Sequence, residues 1–299
     1  MYDELRGLLA EEIVLLDEPM KNHTTFKIGG PADMLVCPRH IEEIKIIMKY
    51  CNQQQIPFMV LGMGSNLLVR DKGIRGVVVK LGQNFQALRM EGEQIWAQSG
   101  VGLSQLAHCA AEASLSGLEF AEGIPGSLGG AVAMNAGAYE KEMQDVIIEV
   151  EAIDRTGEIH RFSAQEAGFA YRKSIFQDNG FIIVSARMQL NKGFREDIEM
   201  RMQQFAKIRR EKQPLEYPSA GSTFKRPPGM YVGPMIEELS LKGYRIGGAE
   251  VSTKHAGFIV NRGDASAADV INLIDKIQSE VRASFGVDLQ PEIRIVGEA

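Results

Sequence analysis

Apolar residues recur at helical spacing in three stretches of the chain. Ile41, Ile44, Met48 and Cys51 fall on one face shortly after Pro38, which predicts a helix. Ile198, Met202, Phe205 and Ile208 repeat the pattern with charged residues between them. Val270, Ile274, Ile277 and Val281 form a third stripe, and Ser266 with Asp269 supplies a capping-box start. Each stripe reads as core packing. The opening MYDELRGLLAEEIVLL reads as a further amphipathic helix. Short β-like runs occur at 57–62 (PFMVLG), 76–81 (GVVVKL), 146–153 (VIIEVEAI), 181–188 (FIIVSARM), 256–261 (AGFIVN) and 292–296 (EIRIV). Residues 30–80 alternate strand and helix, residues 81–190 are mostly strand and glycine-rich loop, and residues 195–299 return to helix and strand. That order predicts an α+β fold of separable units rather than one doubly wound sheet. The charged helix near 195–212, followed by KQPLEYPSAGS, is the best boundary.

The length of 299 residues suits two domains or three subdomains. Hydrophobic residues at 44% and charged residues at 24% exclude disorder, collagen and coiled coil. A net charge of −6 disfavours a nucleic-acid partner but leaves room for a local basic pocket. Cys37, Cys51 and Cys109 are scattered, and His23, His40, His108, His160 and His255 form no HxH or HExxH pair. Neither a disulfide framework nor a metal site is expected. The N-terminus carries acids where a secretory leader needs cations, and no apolar run approaches about 18 residues. A cytoplasmic protein with no membrane insertion is expected.

Five segments carry candidate chemistry. LGMGSNLLV (61–69) follows an apolar run, and Gly62 and Gly64 permit close backbone approach. It is either a loop that aims N–H groups at a diphosphate or a plain tight turn. It is not GxGxxG, and no GxxxxGK[ST] occurs. EGIPGSLGGAVAMNAGAY (122–139) is rich in glycine and alanine and nearly free of large side chains. It is either a flexible linker or a cofactor cradle, and its apolar Ile124, Leu128 and Val132 favour the cradle. GFAYRKSIF (168–176) sets Arg172 among aromatic residues, as a packed surface residue or an anion clamp. PSAGSTFKRPPG (218–229) presents a hydroxyl and two cations on a short loop. QPEIRIVGE (290–298) is a terminal strand whose Glu292 is solvated, salt-bridged or functional.

Seven segments in one order resemble a known family: NHTTFKIGGPAD (22–33), LGMGSNLLV, GLEFAEGIPGSLGGAVAMNAGAY (117–139), FAYRKSIF, SAGSTFKRP (219–227), KHAGFIVN (254–261) and QPEIRIVG. Together they resemble the UDP-N-acetylenolpyruvoylglucosamine reductase (MurB) family, over nearly the whole chain. The chain is similar to the shorter second type, without the tyrosine-bearing insertion of another subgroup. The resemblance implies a two-subdomain FAD-binding domain of the vanillyl-alcohol-oxidase type plus a C-terminal α/β substrate domain. The expected ranges are 1–80, 81–200 and 201–299. It implies bound FAD, NADPH as reductant, and UDP-N-acetylglucosamine enolpyruvate as substrate, in peptidoglycan precursor synthesis.

Residue by residue, the resemblance implies that Arg172 faces the substrate carboxylate, that Ser222 donates the proton, and that Glu292 stabilises the enol form. Lys225 suits the UDP diphosphate. Arg226, which stands where one subgroup has Asn, is expected to contact the nucleotide or a phosphate of the substrate, and Tyr171 either orients Arg172, touches substrate or packs. For FAD the matching positions are Gly62, Met63, Gly64, Ser65, Asn66 and Leu67, with Gly123, Pro125, Gly126, Ser127, Gly129, Gly130, Asn135, Ala136 and Gly137. Two other readings stay open from the residues: a noncovalent FAD oxidase on the same scaffold, and a non-catalytic flavin or UDP-sugar binding module. No protein partner is expected.

Overall fold

The computed structural model describes residues 2–177 and 179–299. Seven α-helices lie among the described residues: α1 (Tyr2–Gly7), α2 (Ile41–Gln53), α3 (Leu103–Glu112), α4 (Leu128–Met134), α5 (Arg195–Lys212), α6 (Val232–Glu238) and α7 (Ala267–Phe285). With the sheets below, the fold is α+β. The chain divides into two compact units, each built from three separated stretches. The first is Met1–Leu16, Met34–Met63 and Gly76–Arg209; the second is Asp17–Asp33, Gly64–Arg75 and Arg210–Ala299.

Besides two short pairings, Gly137–Ala138 with Lys141–Glu142 and Leu115–Ser116 with Asn191–Lys192, the first unit holds most of two larger sheets. One runs Val14–Pro19, Pro31–Val36, Ile74–Lys80, Phe58–Leu61 in spatial order, with Phe58–Leu61 parallel to Ile74–Lys80. The other is antiparallel, in the order Ile159–Ser163, Ile147–Ile153, Ile182–Gln189, Gln94–Gln98, Leu88–Glu91. Ile44, Ile47 and Met48 of α2 enter a core with Met34, Val77 and Val79. Cys51 joins them, and burial pushes its thiol up to about 11, so it stays protonated at neutral pH. A second core gathers α3, α4 and the larger sheet. The expected N-terminal helix over 1–16 is corrected: α1 stops at Gly7, and Val14 begins a strand. A strand beside Pro31–Val36 satisfies backbone groups that an isolated short helix leaves at its ends.

The second unit has an antiparallel sheet in the order Ser219–Ser222, Phe258–Asn261, Ala249–Val251, Arg245–Ile246. Its other pairing is parallel, Leu67–Val69 with Arg294–Val296. Val270, Ile274, Ile277 and Val281 of α7 are buried with Phe26, Ile28 and Leu68. The capping box at its start is present. Ser266 Oγ accepts from Asp269 N (3.0 Å), and Asp269 Oδ2 accepts from Ser266 N (3.0 Å). Asp71 accepts from the next two amides, Ala267 N and Ala268 N.

Candidate active site

In the first unit, the two glycine-rich stretches meet. Strand Phe58–Leu61 runs out into Gly62, where a Cβ would lie 2.3 Å from Ser127 Oγ. Ser127 opens α4 with extended backbone and no side-chain cap. Val101 and Ser99 anchor that first turn through Leu128 N (2.8 Å) and Gly129 N (2.8 Å). A Cβ at Gly129 would lie 2.7 Å from Ser99 Cβ, whereas one at Gly130 would meet only Ser127 Oγ at 3.8 Å. Glycine at 62 and 129 thus lets chain pass chain, and at 130 it leaves the helix start bare. With Leu128 N and Gly129 N spent on the chain, what suits a dinucleotide here is the open, exposed Gly130 beside the strand-end loop, where backbone can approach the ligand closely. The Oγ of Ser99 is buried there without a hydrogen-bond partner. These features fit FAD, and the glycines at 62, 129 and 130 with Ser127 and Ser99 would hold it.

The same stretch holds a helix that its composition hides. Leu128, Ala131 and Val132 of α4 are buried in the core, so residues 122–139 are structured and not a linker. Asn135 ends α4 in the left-handed region (φ 42°). Its Nδ2 donates to Glu142 Oε2 (2.7 Å) and Ala170 O, and its Oδ1 accepts from Gln144 N. Its side chain is therefore spent on the protein. Ala136 O accepts from Met143 N, Gly126 O accepts from Leu103 N, and Gly137 pairs with Glu142. Pro125 is exposed and Gly123 is half-buried.

Arg172 sits at the tip of a tight turn. Ala170 and Lys173 exchange two backbone hydrogen bonds of 3.0 Å, which leaves Tyr171 and Arg172 as the central residues. Arg172 holds φ 55°, a conformation that favours glycine. Its Nη2 donates to Gly137 O (3.2 Å), and its guanidinium carbon lies 5.2 Å from the Tyr171 ring centroid. Tyr171 is 51% exposed, so it faces Arg172 and solvent and is not packed into the core.

Arg209, absent from the sequence reading, lies on the apolar face of α5, seven residues after Met202. It is buried, with its guanidinium carbon 5.4 Å from the Tyr139 ring centroid. Desolvation pulls it below the ordinary arginine value; Tyr139 and Glu122 oppose that, and Arg172 adds to it. A cation within an apolar stripe was the signal available in the sequence.

In the second unit, the serine loop and the last segment run side by side. Glu292 N donates to Thr223 O (2.8 Å), Lys225 N donates to Gln290 O (2.8 Å), and Phe224 bridges Pro291. Glu292 therefore stands beside the strand that ends at Ser222. Thr223 is buried, and its Oγ1 accepts from Ile259 N, which fixes the loop at Ser222. Ser222 itself is exposed. Asn66 clamps the other side: its Nδ2 donates to Glu292 O (3.1 Å), and its O accepts from Arg294 N (2.9 Å). The Asn66 amide thus positions the Glu292 backbone. Gly64 is needed by the protein itself, because at φ 65° a Cβ would lie 2.2 Å from His23 O. Leu67 lies in the strand paired with Arg294–Val296, Ser65 is half-buried and Met63 is exposed. Lys225 is exposed. Arg226 is turned onto its own loop, 3.7 Å over the Tyr231 ring, with Nε donating to Met230 O (3.2 Å).

Two family models match in tandem: an FAD binding domain over residues 32–163, and the C-terminal domain of UDP-N-acetylenolpyruvoylglucosamine reductase over residues 213–296. The reductase of Syntrophomonas wolfei is 56% identical over 298 residues, covering 100% of both chains. The crystal structure of the reductase from Thermus caldophilus superposes with a TM-score of 0.82 at 39% identity, covering 94% of this chain and 97% of that one. Alkyldihydroxyacetonephosphate synthase shares fold alone, with a TM-score of 0.50 at 17% identity over 64% of this chain and 40% of that one. The glycine cradle, the Arg172 turn and the Thr223–Glu292 pairing accordingly stand in a chain that belongs to the UDP-N-acetylenolpyruvoylglucosamine reductase family.

Proposed function

We propose that the protein reduces the enolpyruvyl double bond of UDP-N-acetylglucosamine enolpyruvate to give UDP-N-acetylmuramate, with FAD and NADPH. The observation that supports the reading is the backbone pairing of Glu292 with Thr223, which brings the last segment alongside the loop that carries Ser222. Bound FAD would carry hydride from NADPH to the methylene carbon of the alkene. Negative charge then grows on the neighbouring carbon and spreads into the carboxylate. Arg172, held by Gly137 O and Tyr171, offsets that charge, an effect of roughly 10²–10³ in rate for a well-placed donor. Ser222 Oγ delivers the proton to that carbon, and Glu292 hydrogen-bonds the enol form. Lys225 serves the UDP diphosphate as a point charge. Asn66 and Thr223 act by holding Glu292 and Ser222 in place. The product feeds peptidoglycan synthesis, and so cell shape and division, in the cytoplasm where NADPH is supplied. No helix among the described residues is long and apolar enough to cross a membrane.

The test separates the half-reactions of Ser222→Ala. Reduction of the bound flavin by NADPH should stay near wild type, while its reoxidation by the enolpyruvyl substrate without oxygen should nearly vanish. Equal loss of both would remove Ser222 from the proton-donor role.

A further inference from the structure

Arg209 is the only lysine or arginine among the buried residues described, at 8% exposure. Its setting is rigid. The Tyr139 ring beneath it stacks on Phe205 at 4.0 Å and 6°, and Tyr139 Oη donates to Phe205 O (3.0 Å). Gly123 holds φ 71°, and a Cβ there would lie 3.0 Å from Arg209 Cδ, so the chain passes close against the arginine stem. Yet Nε has no hydrogen-bond partner, and neither does the buried Glu122 Oε2 nearby. His108 Nε2 lies 3.4 Å from that carboxylate oxygen. Arg172 also acts on Arg209 as a like charge.

Taking a guanidinium out of water costs several kcal/mol unless hydrogen bonds and opposite charge offset it. Here the cation is desolvated, oriented by an aromatic platform, set near a second cation and left with a donor unused. A purely structural arginine has no reason to keep that donor open. Two guanidiniums gathered on one glycine-rich stretch match an oxyanion, since each fork binds carboxylate or phosphate oxygens.

We propose that Arg209 is a ligand-binding residue whose Nε–H takes an oxyanion of an incoming nucleotide, alongside Arg172. The proposal rests on the reductase reading for the identity of those nucleotides. The oxyanion comes from the substrate carboxylate, the UDP diphosphate or the NADPH phosphates, and the arms of the experiment distinguish them.

The FAD-loaded full chain is titrated with UDP-N-acetylmuramate, UDP-N-acetylglucosamine and NADP⁺, following perturbation of the flavin spectrum. Arg209→Gln should weaken at least one of them tenfold or more. Loss for UDP-N-acetylmuramate alone assigns the carboxylate, loss for both UDP sugars the diphosphate, and loss for NADP⁺ its phosphates. Arg209→Lys keeps the charge and the stem but lacks Nε; it should show the same ligand pattern, and it decides the matter if Arg209→Gln loses flavin. All three affinities within twofold of wild type in a flavin-retaining variant would overturn the proposal. Turnover of the enolpyruvyl substrate by the wild type tests the reaction separately.

Discussion

Replacing Arg172 separates what the residue costs the fold from what it does for catalysis. A non-glycine residue in the left-handed region costs roughly 1–2 kcal/mol, and Arg172 holds φ 55°. Against that stand its hydrogen bond to Gly137 O at 3.2 Å and its contact with the Tyr171 ring at 5.2 Å. The first contributes about 0.5–1.5 kcal/mol and the second about 0.5–1 kcal/mol. Arg172→Ala loses both contacts and keeps the strained backbone, so it should be less stable by about 1–2.5 kcal/mol. Arg172→Gly loses the same contacts but relieves the backbone, and should stand about 1 kcal/mol above the alanine variant. Both should lose about 10²–10³ in turnover of the enolpyruvyl substrate. Urea melts of the three proteins, each with its flavin content matched, give the stability order; stopped-flow reoxidation of the reduced flavin gives the activity. An alanine variant as stable as the glycine variant would show that the turn is unstrained. A glycine variant keeping more than about a tenth of the rate would show that the guanidinium is dispensable.

Two further expectations concern the frame around the site. Gly62→Ala places a Cβ 2.3 Å from Ser127 Oγ but 3.5 Å from Ser127 Cβ. The single change should cost about 1–3 kcal/mol by overpacking, and adding Ser127→Ala should recover most of it in urea melts; no recovery would place the strain elsewhere. Hydrogen bonds hold the Asp269 carboxyl below its usual range, the Ser266 backbone amide first among them. A lowered folded value means stability present above the unfolded value of about 3.9 and lost as pH falls through the folded one. Asp269→Asn should therefore cost about 1 kcal/mol at pH 7, with a gap to wild type that narrows below about pH 4. A gap constant with pH would mean that charge plays no part.

Helices with a long apolar stripe and a cap were legible in the sequence. Residues 267–285 carried both, and α2 and α5 followed from spacing alone. The helix α4 was hidden because glycine and alanine give little pattern, and its formation depends on burying Leu128 and Val132 and on the turn at Asn135. At the N-terminus, Val14–Leu16 continued an apolar spacing that suited a helix, but a neighbouring strand took them. At the site, the glycines at 62 and 129 could be singled out, but not that they face Ser127 and Ser99. Ser222 and Glu292 were named by resemblance; the backbone bond of Glu292 to Thr223, next to Ser222, joins segments far apart in sequence, which no local spacing encodes. The motif marks Asn66 for the cofactor, and no local spacing shows that its amide also grips the Glu292 carbonyl.

The scattered make-up of the second unit bears on how the protein can be dissected. Its core joins Val270 and Ile274 to Phe26, Ile28 and Leu68, which come from two stretches far upstream. A gene fragment encoding 210–299 alone would leave three large sockets unfilled and should express as insoluble or molten material. Joining residues 17–33 and 64–75 to it through short linkers would return the missing side chains, which makes such a minimal graft the rational starting point for producing that portion in isolation.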